Sequence, residues 1–234
     1  MTGNQHGGQR IVVLISAGSE WQTAEGFYSA QCKDSPLGTW FETIVAGQSV
    51  VFLHGGWGKV AAAASTQYAI DRWHPDLLIN LGTCGGFAGE VERGEILLVD
   101  ETLVYDIYER MGDARAALAH YTTRLELEWV KPPYPQQVRR GRLISADADI
   151  DPEAIPILIE RFRAVAADWE SGAIAWVAGR NGVRCLILRG VSDLVSRQVG
   201  EAYGAIEVFQ QQAKKVMLVL FSALPGWIEK AIQS

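Results

Sequence analysis

Two carboxylates stand where an α/β chain can do chemistry. Glu170, in Asp168-Trp169-Glu170-Ser171-Gly172-Ala173, lies where a helix is predicted to begin, and Asp193 closes the run Cys185-Leu-Ile-Leu-Arg-Gly-Val-Ser-Asp193, just past an apolar strand. Open α/β sheets bind ligands beyond the carboxyl ends of their strands. Acids placed there can move a proton or hold a hydroxyl group. Each position also has a plainer explanation, because a helix macrodipole favours glutamate in the first turn and aspartate is a common cap or turn residue.

A sheet has to present these acids. Ile11-Val-Val-Leu-Ile15 is an apolar, largely β-branched run that leaves into the loop Ser16-Ala-Gly-Ser19, with Glu20 just beyond it. Trp40 to Ala46 and Ser49 to His54 read as a hairpin across Gly47-Gln48, and Gly55-Gly56-Trp57-Gly58 then opens an alanine-rich helix to Trp73. Val60 follows Lys59, so the glycine run lacks the ending of a nucleotide P-loop. Asp76 to Leu81 is the next strand, and Gly82-Thr83-Cys84-Gly85-Gly86 is read as a turn where backbone approaches a ligand closely. A strand over Glu95 to Tyr105 precedes a long segment, 106–140, expected as loop with short helical pieces. Short strands at Arg142 to Ala146 and Arg163 to Ala167 flank a helix starting near Pro152. A helix from Glu170 ends at Asn181-Gly182, Cys185 to Leu188 is the last core strand, and a helix over 203–223 stops at Pro225-Gly226 before a short terminal helix. Strands alternating with helices predict an α/β fold of three layers, a central mixed sheet flanked by helices.

The bulk numbers narrow the function. A chain of 234 residues, 48% hydrophobic and 21% charged, buries one substantial core, so a single domain over 11–234 is expected behind a disordered polar tail at 1–10. The formal charge of −6, without clustered Lys and Arg, argues against nucleic-acid binding and for a small substrate. Cys32, Cys84 and Cys185 are widely spaced, with no Cys-x-x-Cys pair or His-rich cluster, which fits a reducing cytoplasm and no metal. No run of about 18 apolar residues predicts a membrane span.

The motifs and their order carry more. Gly56-Trp-Gly-Lys-Val-Ala61, Ile79-Asn-Leu-Gly-Thr-Cys-Gly-Gly86, Arg93-Gly-Glu-Ile96, Asp168-Trp-Glu170 and Arg189-Gly-Val-Ser-Asp193 together resemble the nucleoside phosphorylase and nucleosidase superfamily over residues 11–223. Within it the likeness is greatest to methylthioadenosine/S-adenosylhomocysteine nucleosidases. That resemblance implies a phosphorylase/hydrolase-like fold and cleavage of a purine N-glycosidic bond without a cofactor. As the bond breaks, the ribose gains positive and the purine negative charge. Asp193 then matches the family's general acid toward N7 of the base, with Ser192 fixing it. Glu170 matches the glutamate that accepts ribose hydroxyls and stabilises charge on the sugar, beside Asp168. Thr83, Cys84 and Gly85 border base and ribose; Cys84, with no His partner in a catalytic arrangement, reads as a small buried thiol. Arg189, at the strand end, either positions water, tunes a neighbouring carboxylate, or forms a surface salt bridge.

Water or phosphate as the attacking group separates hydrolase from phosphorylase. Phosphorylases of this superfamily carry arginines in the first-strand loop and just before the Gly-Ser/Thr motif, whereas Ser16-Ala-Gly-Ser-Glu-Trp21 and Ile79-Asn-Leu81 have none. A carboxylate repels phosphate and can deprotonate water, so Glu20 is the candidate base. Three departures stand out. Trp169 replaces a methionine beside the ribose, Asp149 stands where an aromatic usually meets adenine while Ile150 remains at the purine edge, and Tyr105 and Tyr108 either cover a 5′ substituent or pack on the sheet. The expectation is a cytoplasmic homodimer hydrolysing a 5′-modified purine nucleoside with water as co-substrate. A phosphate-dependent phosphorylase and a non-catalytic nucleoside-binding protein of the same fold are the alternatives.

Overall fold

The computed structural model describes residues 9–233. Residues 1–8, most of the expected tail, lie outside the described residues; Arg10 is held to Asp76 through its backbone N–H at 2.9 Å and its guanidinium. In chain order the elements are β1 (Ile11–Ile15), α1 (Gly18–Tyr28), β2 (Lys33–Ser35), β3 (Gly38–Val45), β4 (Gln48–His54), α2 (Gly58–Trp73), β5 (Leu77–Phe87) and β6 (Ile96–Val104). There follow α3 (Ala114–His120), β7 (Thr122–Arg124), β8 (Arg139–Ser145), a 3-10 turn (Pro152–Ala154), α4 (Ile155–Phe162), β9 (Ala164–Asp168), α5 (Ser171–Arg180), β10 (Arg184–Val195) and α6 (Ile206–Ile232).

One mixed sheet runs β10-β6-β8-β9-β5-β1-β4-β3-β2, with β7 beside β6. Because β10 also pairs with β5, the strands β5, β10, β6, β8 and β9 close into a ring. The central strands bury apolar residues toward both faces: Val12, Val13, Leu14, Leu78, Ile79, Leu186 and Ile187 are all buried, as strands covered on both sides require. Helix α1 packs on α6, and α2 on α5. The three-layer α/β expectation holds.

Four boundaries differ from the sequence expectation, and three of them move functional residues. The glycines 82–86 are not a turn: β5 continues through them to Phe87, pairing with β10 and with β9 at Gly85 and Gly86. Glycine there serves close approach rather than reversal, for a Cβ on Gly86 would sit 2.5 Å from Val91 and 2.7 Å from Val191. Strand β10 likewise runs on to Val195, so Asp193 lies within it. Helix α1 starts at Gly18 and places Glu20 in its first turn instead of a loop.

Helix α6 also passes through Pro225-Gly226 without stopping. An interior proline costs about 3 kcal/mol. Leu224, Trp227 and Ile228 beside it are fully buried, and burial stabilises by about 1.5–3 kcal/mol for each such side chain, so packing outweighs the break. Among the described residues no helix is long and apolar enough to cross a membrane.

Candidate active site

Helix α1 begins without a side-chain cap, because Ala17 occupies the N-cap. Glu20, three residues on, supplies what is missing: its Oε2 accepts the Ala17 N–H at 3.3 Å. Its Oε1 accepts from the Thr83 backbone N–H at 2.6 Å and from the Thr83 hydroxyl at 2.7 Å. Glu20 is therefore clamped between the first helix and the middle of β5, and only 2% of it is exposed.

Beneath it lies a buried ion cluster. Arg189, 1% exposed, meets Asp168 Oδ2 at 3.0 Å and Glu170 Oε2 at 3.9 Å, and donates to Asn80 Oδ1 at 2.8 Å and to the Ser171 hydroxyl at 2.9 Å. Burial works against its charge, but Asp168, Glu170 and Glu20 outweigh that and hold its pKa raised. Gly82 makes the room: a Cβ there would stand 1.8 Å from Arg189 Nη1 and 3.1 Å from Glu20 Oε2. Asp168 ends β9 with its carboxylate taking the Ser145 hydroxyl at 2.5 Å, the Ser171 hydroxyl and the Ser171 N–H at 3.2 Å, besides the guanidinium. It holds the start of α5.

Glu170 stands at the N-cap of α5, as the sequence suggested, yet its side chain does not cap that helix. It reaches α2 instead, where Oε1 accepts the Gly58 N–H at 3.0 Å. Burial, then the charge of Asp168, push its carboxyl up to about 8, against the pull of Arg189 and the Gly58 N–H.

Asp193 owes its direction to a β-bulge. The register of β10 on β5 slips between Val191 and Asp193, leaving Ser192 as the extra residue and turning the next side chain toward the ligand side. Ser192 donates to Asp193 Oδ1 at 2.6 Å and also meets the Cys84 carbonyl at 3.3 Å. Burial raises the Asp193 pKa above the usual carboxylate value, and the Ser192 hydroxyl only partly opposes this. An aspartate that keeps its proton longer is suited to donate it. Burial also lifts the Cys84 thiol well above its ordinary pKa, so it is a poor nucleophile.

These groups share one cavity of about 750 Å³. Its walls include Glu20, Thr83, Cys84, Gly85, Asp149, Ile150, Asp168, Trp169, Glu170, Ser192 and Asp193, while Arg189 lies below the surface. Tyr105 and Tyr108 are elsewhere. Tyr105 packs on Phe162 in a second apolar cluster, and Tyr108 is exposed under the Arg110 guanidinium, so neither lines this cavity.

Several wall residues escaped the sequence analysis. Trp57, between Gly56 at φ +76° and Gly58 at φ +84°, stacks on Trp169 with ring centres 4.7 Å apart. The paired glycines were its one local signal. Tyr203, whose hydroxyl bonds the Ile150 carbonyl, and Phe209 and Gln210 of α6 reach the cavity through long-range packing that no local pattern announces.

Comparison with known proteins agrees with this geometry. The sequence model of the phosphorylase superfamily matches residues 13–224. A 5′-methylthioadenosine/S-adenosylhomocysteine nucleosidase of Actinobacillus succinogenes is 31% identical over 175 residues, 70% of this chain and 76% of the relative. That of Tolumonas auensis is 28% identical over 77% of this chain and 84% of its own. The S. pneumoniae nucleosidase of the same name, solved with a transition-state inhibitor, superposes with a TM-score of 0.77 at 19% identity over 95% of this chain and 99% of its own. The chain belongs to the phosphorylase superfamily and, within it, to the 5′-methylthioadenosine/S-adenosylhomocysteine nucleosidases.

Proposed function

We propose that the protein hydrolyses the N-glycosidic bond of a purine nucleoside carrying a 5′-thio substituent, 5′-methylthioadenosine or S-adenosylhomocysteine, and releases the base. The observation that carries water over phosphate is the charge of the cavity. Among the described residues no lysine or arginine lines it, Arg189 is committed to Asp168 and its neighbours, and Glu20 presents a buried carboxylate. A phosphate dianion would meet like charge without a countercharge. Water meets a base.

In this mechanism Glu20 orients a water and takes its proton as the oxygen attacks C1′, Glu170 in its ionised form holds the ribose hydroxyls, and Asp193 delivers a proton to N7 of the departing base. Thr83 and Ser192 aim Glu20 and Asp193, and Arg189 with Asp168 fixes Glu170. Trp169 and Trp57 form an aromatic wall next to the ribose holder. Hydrolysis in ¹⁸O-water tests the route: label is expected in the freed sugar, and a sugar 1-phosphate would overturn it. A homodimer in the cytoplasm completes the proposal, supported by exposed apolar side chains such as Trp57 and Val60; sedimentation at one dimer mass is the expected result.

Glu170 sets a pH dependence whose sign can be worked out. If its ionised form binds the sugar, kcat/KM rises with pH through a limb displaced well above the ordinary glutamate value by burial and by the charge of Asp168. Stability runs the other way. The folded state holds the Glu170 proton more tightly than the unfolded chain does, so its contribution is complete below pH ~4.3 and is lost as pH rises to about 8. Glu170→Gln cannot ionise, and is expected to melt higher than the parent at pH 9 while losing turnover. Equal melting at pH 5 and a lower value at pH 9 would contradict this.

A further inference from the structure

Helix α2 begins at Gly58 with no cap from its own N-cap residue, Trp57. Its first two N–H groups go to carboxylates far away in sequence. Gly58 N–H donates to Glu170 at 3.0 Å, and Lys59 N–H donates to Asp147 Oδ1 at 2.8 Å. The Lys59 ammonium then returns across the same junction, bonding both oxygens of Asp106 and standing 3.6 Å from Asp147 Oδ2. Asp147 N–H donates to Asp106 Oδ2 at 3.1 Å and completes the circuit. Three segments are thereby tied at one point: the start of α2, the loop after β6 and the loop after β8. The tie is tight at the glycine, since a Cβ on Gly58 would lie 3.1 Å from Asp147 Oδ1.

We infer that Lys59, Asp106 and Asp147 form a clasp that aims the Gly58 N–H at Glu170, making Lys59 a positioning residue for ribose binding. The inference rests on Glu170 being the ribose holder. Glu170 is faced by Asp168 at the end of β9, Arg189 of β10, Glu20 of α1 and the Gly58 N–H of α2. Of these, Arg189 is shared with Asp168, whereas the Gly58 N–H serves Glu170 alone among the described contacts. A backbone N–H can only donate, so its bond favours the ionised carboxylate over the protonated one. The first turn of a helix adds a partial positive charge in the same direction. Lys59 reaches none of the reacting groups itself; it keeps α2 from withdrawing that donor. With the clasp open, Glu170 holds its proton to higher pH and meets the sugar in the wrong state.

The test is the pH profile of kcat/KM for 5′-methylthioadenosine cleavage in the parent, Lys59→Met, Lys59→Arg and Glu170→Gln proteins. For Lys59→Met the ascending limb is expected to move up by about one pH unit, a loss of about tenfold on the acid side that fades at alkaline pH. Lys59→Arg, which keeps the cation, is expected to return the limb toward the parent position. A loss of equal size at every pH, or an unmoved limb with parental rates, would overturn the clasp. Near-parental turnover in Glu170→Gln would instead overturn the ribose-holding role beneath it. Asp106→Asn removes one charge of the clasp while preserving shape, and carries the same expectation if Lys59→Met does not fold.

Discussion

Asp193→Asn is expected to leave the nucleoside bound and to slow its cleavage by about 10²–10⁴, the usual worth of a positioned proton donor. The substitution preserves size, and the Ser192 hydroxyl can still donate to the Oδ1 position it occupies at 2.6 Å. What disappears is the proton. Without it the purine must leave as an anion from a cavity whose walls already carry Glu20, Asp149 and Asp168. Equilibrium binding of substrate to the variant, with single-turnover rates beside it, separates the two effects. Turnover within threefold of the parent would remove Asp193 from the chemistry.

Arg189→Met is expected to cost about 3–5 kcal/mol of stability, the penalty for stripping one partner from a buried ion pair. The cluster makes the upper part of that range reasonable. Asp168 and Glu170 would lose the guanidinium at 3.0 and 3.9 Å, and Asn80 and Ser171 would lose its N–H donors. A carboxylate left alone in that setting takes up a proton, so part of the loss should be recovered as pH falls. Urea melts at pH 5 and pH 8 measure this. A variant as stable as the parent at pH 8 would mean that the acids do not depend on Arg189. Because Arg189 holds the group that holds the ribose, turnover should fall with it.

Much of the site was legible because its chemistry is written in short ordered motifs. Glu170, Asp193, Glu20 and Thr83 do converge on one cavity, although they come from a helix N-cap, a bulged strand, a first helical turn and the middle of β5. What sequence patterns conveyed poorly was the reason for the glycines. Gly82 is there to let Arg189 and Glu20 approach, Gly85 leaves room for the Ile150 side chain, and Gly86 lets Val91 and β10 close on β5; a turn and a close approach ask for the same residue type. Pro225 misled in the opposite way. Its local preference is to end a helix, but three fully buried neighbours hold α6 straight through it. Phe209 and Tyr203 had no local signature, since their place in the wall depends on how α6 docks across the sheet.

The central claim, hydrolysis rather than phosphorolysis, is tested most directly by base release from 5′-methylthioadenosine in phosphate-free buffer and again with saturating phosphate. Adenine is expected at the same rate in both, with free 5-methylthioribose as the other product. Release that appears only when phosphate is added, with a sugar 1-phosphate in its place, would contradict the account.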